Sequence, residues 1–175
     1  MLKTNLIVST LSFLIIACGS NMPKIPDWYL NAPDKEGFKY AAGTEVGDEI
    51  QNAVDEARLI AVGVLGQQLD TELNGVVARA QEEIRDKAAV DNFKNTQESI
   101  FSVKVTDYKV VKQEIVEDNG KYRAYVLIEY DMNAAQQRLI DKLKADKALF
   151  EAIRATELYE EMEQKVEAYR KRNKS

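Results

Sequence analysis

Histidine is absent from this 175-residue sequence, cysteine occurs once, and only 3 prolines and 8 glycines interrupt it. Without imidazole there is no Ser/His/Asp or Cys/His dyad, no carboxylate-histidine-zinc site and no side chain that titrates near neutrality unperturbed. One thiol forms no internal disulfide. The few glycines make no Walker-type loop, no Gly-x-Ser-x-Gly elbow and no Gly-x-Gly-x-x-Gly fingerprint, so no cofactor is expected. The carboxylate pairs Glu82-Glu83 and Glu160-Glu161 are adjacent on helical patterns, point about 100° apart and read as solvated surface rather than as acid and base. Basic residues are in deficit, 24 against 29 acidic for a net charge of -5, and no basic stripe with interleaved aromatics crosses the chain. Nucleic acid is therefore not an expected partner. These absences together predict a protein that is not an enzyme.

What is present is ordinary for a folded domain: 45% hydrophobic, 30% charged and 8% aromatic residues in a length that suits one compact unit with a helical appendage. The unusual part is the beginning. Lys3 is the only charge before Cys18, and residues 6–17 form an apolar run of secretory-signal length, shorter than the roughly 20 residues a membrane-spanning helix needs. Its end, Leu14-Ile15-Ile16-Ala17-Cys18-Gly19, resembles the lipobox of bacterial lipoproteins. That likeness implies cleavage before Cys18, with acyl chains on its sulfur and its new amino group, and Gly19 in place of an aspartate favours sorting to the outer membrane. One acyl chain holds only marginally, whereas two or three anchor stably. Removing residues 1–17 removes Lys3 alone and leaves 23 basic against 29 acidic residues. Residues 18–26 then form a lipidated, proline-interrupted tether. The eight residues after Cys18 reach at most about 28 Å, so the domain stands close to its membrane.

The folded part is expected at residues 27–131. Pro26 and Pro33 bracket Trp28 and Tyr29 in a rigid loop whose default role is packing; the alternative is a surface, formed by Trp28, Tyr29 and a sheet face, that binds lipid or a cell-wall fragment. Phe38, Tyr40 and Ala42 alternate as a strand that ends at Gly43. Asp48 and Gln51 suggest the cap of a helix whose core face carries Ile50, Val54, Ala57, Ala61, Val64 and Leu65. Residues 69–81 fit either a strand or a helical continuation, with strand preferred because Gly75 interrupts them. A second helix carries Ile84, Ala88 and Phe93 toward Ile100 and Phe101.

The strongest local signal is a hairpin, with residues 103–117 and 121–131 as strands around Asp118-Asn119-Gly120, whose Asn-Gly suits a type I′ turn. The returning strand is apolar on both faces, as in a central or dimerising strand. Residues 132–175 read as a helical extension whose stripe shifts phase near Ala155-Thr156, with Thr156 as a cap. Its second stripe, Leu158, Met162, Val166 and Tyr169, suits docking on the parent domain or pairing with another subunit. The basic cluster Arg170-Lys171-Arg172 complements the negative end of a helix, with anionic lipid headgroups or cell-wall polymer as the alternative contact.

The lipobox, the short tether, Pro26-Asp27-Trp28 with Pro33 beyond it, Tyr40-Ala41-Ala42-Gly43-Thr44 and the helix bearing Ala53 and Ala57-Arg58 together resemble the bacterial twenty-kilodalton outer-membrane lipoprotein family, Lpp-twenty. The resemblance implies an α+β fold with helices packed on a curved antiparallel sheet, extended here by a C-terminal helix without counterpart. It also implies a non-enzymatic role among surface antigens and flagellar assembly lipoproteins. The resulting expectation is an outer-membrane lipoprotein, anchored through acyl chains on Cys18, that forms homo-oligomers and works with other envelope or flagellar proteins. The alternatives are a membrane-anchored binding module and an activator of a cell-wall enzyme.

Overall fold

The hairpin organises the rest of the molecule. In the computed structural model, which describes residues 24–101 and 107–172, strands β2 (Tyr108–Asp118) and β3 (Lys121–Asp131) meet at a two-residue turn. Asn119 and Gly120 there have φ of 54° and 77°, the pair of positive angles a type I′ turn requires. Strand β1 (Phe38–Gly47) pairs antiparallel with the other side of β3, so the sheet order is β1-β3-β2 and the two-sided apolar strand is central. With its helices and three-stranded antiparallel sheet, the chain is an α+β protein.

Strand β1 does not end at Gly43 but runs four residues further to Gly47. The glycine serves close approach rather than termination. A Cβ on Gly43 would strike the Ala57 carbonyl oxygen and lie 2.6 Å from the Ala61 nitrogen, both backbone atoms of helix α2 (Ile50–Glu83). Ala53, Ala57 and Ala61 on the helix, all fully buried, complete this small-residue contact.

Helix α2 corrects three further expectations. Asp48 does not cap it: the cap position belongs to Glu49, which makes no side-chain capping bond, and Asp48 instead pairs with Lys121 at 3.1 Å. Ile50 and Val64 are 45% and 37% exposed, while Val54, Ala57, Ala61 and Leu65 are buried as expected. Ile50 sits on the solvent-facing first turn, and Val64 is rotated off the stripe by one position from Leu65. Finally, residues 69–81 are helix, not strand. Leu65, Leu69, Leu73, Val76 and Ala80 recur at helical spacing into the core, and a Cβ on Gly75 would meet open space. A helix interior tolerates such a glycine at a cost of about 1 kcal/mol.

Helix α3 (Lys87–Phe101) buries Val90, Phe93, Gln97 and Phe101; Ile84 is buried just ahead of it, and Ala88 faces solvent. The C-terminal segment is three helices, α4 (Met132–Ala145), α5 (Lys147–Ile153) and α6 (Glu157–Arg172). The phase shift at Ala155-Thr156 is a true break. The Thr156 hydroxyl donates to the Ile153 carbonyl at 2.7 Å and accepts from the Tyr159 N–H at 3.1 Å. A second break, at Asp146, has no counterpart in the apolar pattern. Its carboxylate accepts from Leu149 N–H and from Asn92 on α3, and these bonds hold it below the usual carboxylate range.

The α6 stripe docks on its own domain. Leu158, Tyr159, Met162 and Val166 are buried in one hydrophobic cluster with Leu139, Leu143, Leu149 and residues of α2 and the sheet. Polar contacts fix its rotation. Glu83 accepts from Leu158 N–H at 3.0 Å at the start of α6, Arg79 forks onto Glu161 at 2.9 and 3.1 Å, and Lys144 meets Glu163 at 2.6 Å. Glu161 and Glu163 are both held below their ordinary values, first by the hydrogen bonds from these cations. The basic end is likewise paired inward, Arg170 with Asp141 and Arg172 with Glu36.

Candidate functional site

Cys18, the expected lipidation site, lies outside the described residues. The first described element, α1 (Asp27–Leu30), carries Trp28 and Tyr29 onto the sheet face opposite α2. Cross-strand pairing places Tyr40, Ala42, Thr44 and Val46 of β1 on this outer face beside Glu129, Leu127, Tyr125 and Arg123 of β3. Tyr125 and Leu127 are 3% and 0% exposed. Tyr29 meets Tyr125 edge-on at 5.1 Å between ring centroids, and Trp28 meets Tyr29 at 6.4 Å. Such edge-to-face stacking contributes about 1 kcal/mol per pair beyond simple burial.

Trp28 and Tyr29 are thus brought together, half-buried, as a cover over Tyr125, whose phenol burial pushes up from its ordinary value. Neither lines the cavities described next. Further along the same face, the Tyr40 hydroxyl donates to Glu129 at 2.5 Å, and burial followed by this bond pushes its pKa up to about 12.

Cavities lie elsewhere among the described residues. A basin of about 260 Å³ opens where the segment before β1 meets α4 and the end of α6. Its lining alternates Lys35, Lys39, Lys165 and Arg172 with Asp34, Glu36 and Glu72, and several of these are already paired, as Lys39 is with Glu72 at 2.7 Å. Opposite charges this close largely offset one another, four cations against three carboxylates, and leave only a weak net field for a charged ligand. A smaller crevice of about 70 Å³ lies among α2, α3, α4 and α6 beside Gln97, whose side-chain oxygen is buried without a partner. That volume has room for about two waters and one orphan acceptor to bind them.

The two edges of the sheet are covered unequally. On β1, no residue is fully exposed; the Gln68 amide reaches from α2 to the Tyr40 carbonyl at 3.3 Å, and Glu72 of the same helix holds Lys39. On β2, six consecutive residues, Lys109 to Glu114, are exposed, including Val110 at 44% and Val111 at 41%. A bulge between Val110 and Lys112 interrupts the pairing with β3. This edge was not singled out from sequence, although its composition signals it: Lys109 and Lys112 precede Gln113, and Glu114, Glu117 and Asp118 follow it.

Among the described residues no three Cys, Asp or Glu side chains converge to hold a metal ion, and no helix is long and apolar enough to cross a membrane. No family model matches the chain, and neither a curated protein nor a solved structure matches it.

Proposed function

We propose that this chain is a non-enzymatic bacterial lipoprotein, held on the outer membrane by acyl chains on Cys18, whose domain self-associates and supports an envelope or flagellar assembly. The observation that carries the reading is the placement of the only cysteine directly after an apolar run of signal length, nine residues ahead of the first element of the fold. A leash that short puts every copy in one thin layer beside the bilayer, and confinement to a common plane raises the effective concentration of copies for one another. The exposed β2 edge supplies a surface on which they can meet, while the α6 stripe is occupied within its own domain. The assembly role itself comes from the family resemblance of the N-terminal two-thirds.

The test is cellular. Cys18→Ser is expected to release the protein from the membrane fraction into the soluble fraction, and a variant that still sediments with outer membranes refutes the anchor. Deletion of the protein is expected to impair motility or envelope integrity; unaltered behaviour in both removes the assembly role.

A further inference from the structure

We infer that the open β2 edge pairs antiparallel with β2 of a second copy, about a two-fold axis through Gln113, to make a continuous six-stranded sheet. The inference rests on the self-association proposed above and names its surface. Lysines on an edge strand ordinarily repel another edge. Here both lysines lie in the first half of the strand, and its acidic residues lie in the second. An antiparallel partner therefore sets the basic half of each copy against the acidic half of the other, so the same charges that repel most strands accept this one.

The register follows from which face each residue occupies. Lys112 and Glu114 pair with Leu127 and Tyr125 and so share the outer face. Around Gln113, Lys112 of one copy stands opposite Glu114 of the other, twice by symmetry. The bulge at Val111 then lets the Val110-Val111 pair share one opposite residue, Ile115 of the second copy. Past it, Lys109 faces the partner's Val116, while Asp118 stays held by Arg123 of its own copy at 2.7 Å, and faces stay matched to the end of the strand. The contact buries the two exposed valines, Val110 and Val111. Helix α2 lies over β1 and β3, so it leaves the β2 border clear, and because α2 also covers the β1 edge, the sheet stops at six strands rather than growing into a fibre.

Charge reversal tests this on the full-length lipoprotein in detergent, read by light scattering over a concentration series and checked for fold by circular dichroism. Wild type is expected to be a dimer. Lys112→Glu or Glu114→Lys alone turns two attractive contacts into two repulsive ones and should weaken dimerisation about tenfold or more. The mixture of the two single variants restores complementarity at both contacts, so it should dimerise like wild type, as should the double swap carrying both changes. A dimer that both single variants leave intact overturns this edge and leaves self-association standing on another surface. A wild type that is monomeric at every concentration overturns both.

Discussion

The two borders of the sheet flank the same central strand and have opposite fates. Strand β1 lies under α2, its glycine against the helix backbone and its Tyr40 carbonyl satisfied by Gln68, whereas β2 leaves Lys109 to Glu114 in solvent. The difference shows that a three-stranded sheet can be closed on one side by a helix and, among the described residues, left on the other with a bulge and a charge pattern. A covered edge is costly to alter because helix and strand share a core. An open edge is inexpensive to alter in the monomer, so its residues are free to answer to a partner.

The largest expected effect lies on the covered side. Gly43→Val places side-chain atoms where the Ala57 carbonyl and Ala61 nitrogen already stand, and neither backbone atom can yield without moving α2. A loss of about 3 kcal/mol or more is expected in urea unfolding, up to failure to fold. Stability within 1 kcal/mol of wild type would mean that α2 does not bear on β1 at this point. Smaller is Gly120→Ala in the turn that positions the open edge. The new Cβ meets no neighbour, so the cost is the strain of φ 77° alone, about 1 kcal/mol, with the hairpin register retained.

Alkaline pH separates the edges without changing bulk. Tyr40, on the covered strand, is stabilised in its neutral form by burial and by its bond to Glu129, so its pKa rises from 10.0 to about 12 on folding. Its contribution is complete below pH 10 and is lost as pH climbs toward 12. Tyr125, Tyr130 and Tyr159 are also raised, in each case first by burial, so wild type should weaken steeply in this range and Tyr40→Phe less steeply. Equal slopes for the two would assign the alkaline loss wholly to the other tyrosines.

Much of the fold was legible in the sequence because local chemistry and tertiary demand agree there. Asn119-Gly120 permits only a tight turn, the two-sided β3 must be central, and Thr156 sits where the apolar stripe breaks. At Gly43 and Asp48 the fold departs from the local signal because the role of each depends on a distant neighbour. Gly43 looked like a strand end because α2, which approaches it, is not written beside it. Gly75 is different: it has no neighbour, and the continued helical spacing of Leu65, Leu69, Leu73, Val76 and Ala80 outweighs the penalty of one glycine. Asp48 looked like a cap, yet its partner Lys121 is 73 residues away. For the candidate surface, the charge order of β2 was visible in sequence, but its meaning required knowing which edge is left open.

The smallest expected effect addresses what keeps β1 from behaving like β2. Gln68→Ala removes the amide from the Tyr40 carbonyl at a site water can reach, so solvent replaces the bond and stability should change by no more than about 0.5 kcal/mol. If the overlying helix closes this border, the variant keeps the oligomeric state of wild type, because α2 and its Glu72–Lys39 contact still stand in the way of another strand. If the variant instead forms assemblies larger than wild type does, then a single side-chain hydrogen bond had been blocking the edge. The contrast between the two borders would then reduce from a helix against none to one glutamine against a row of charges.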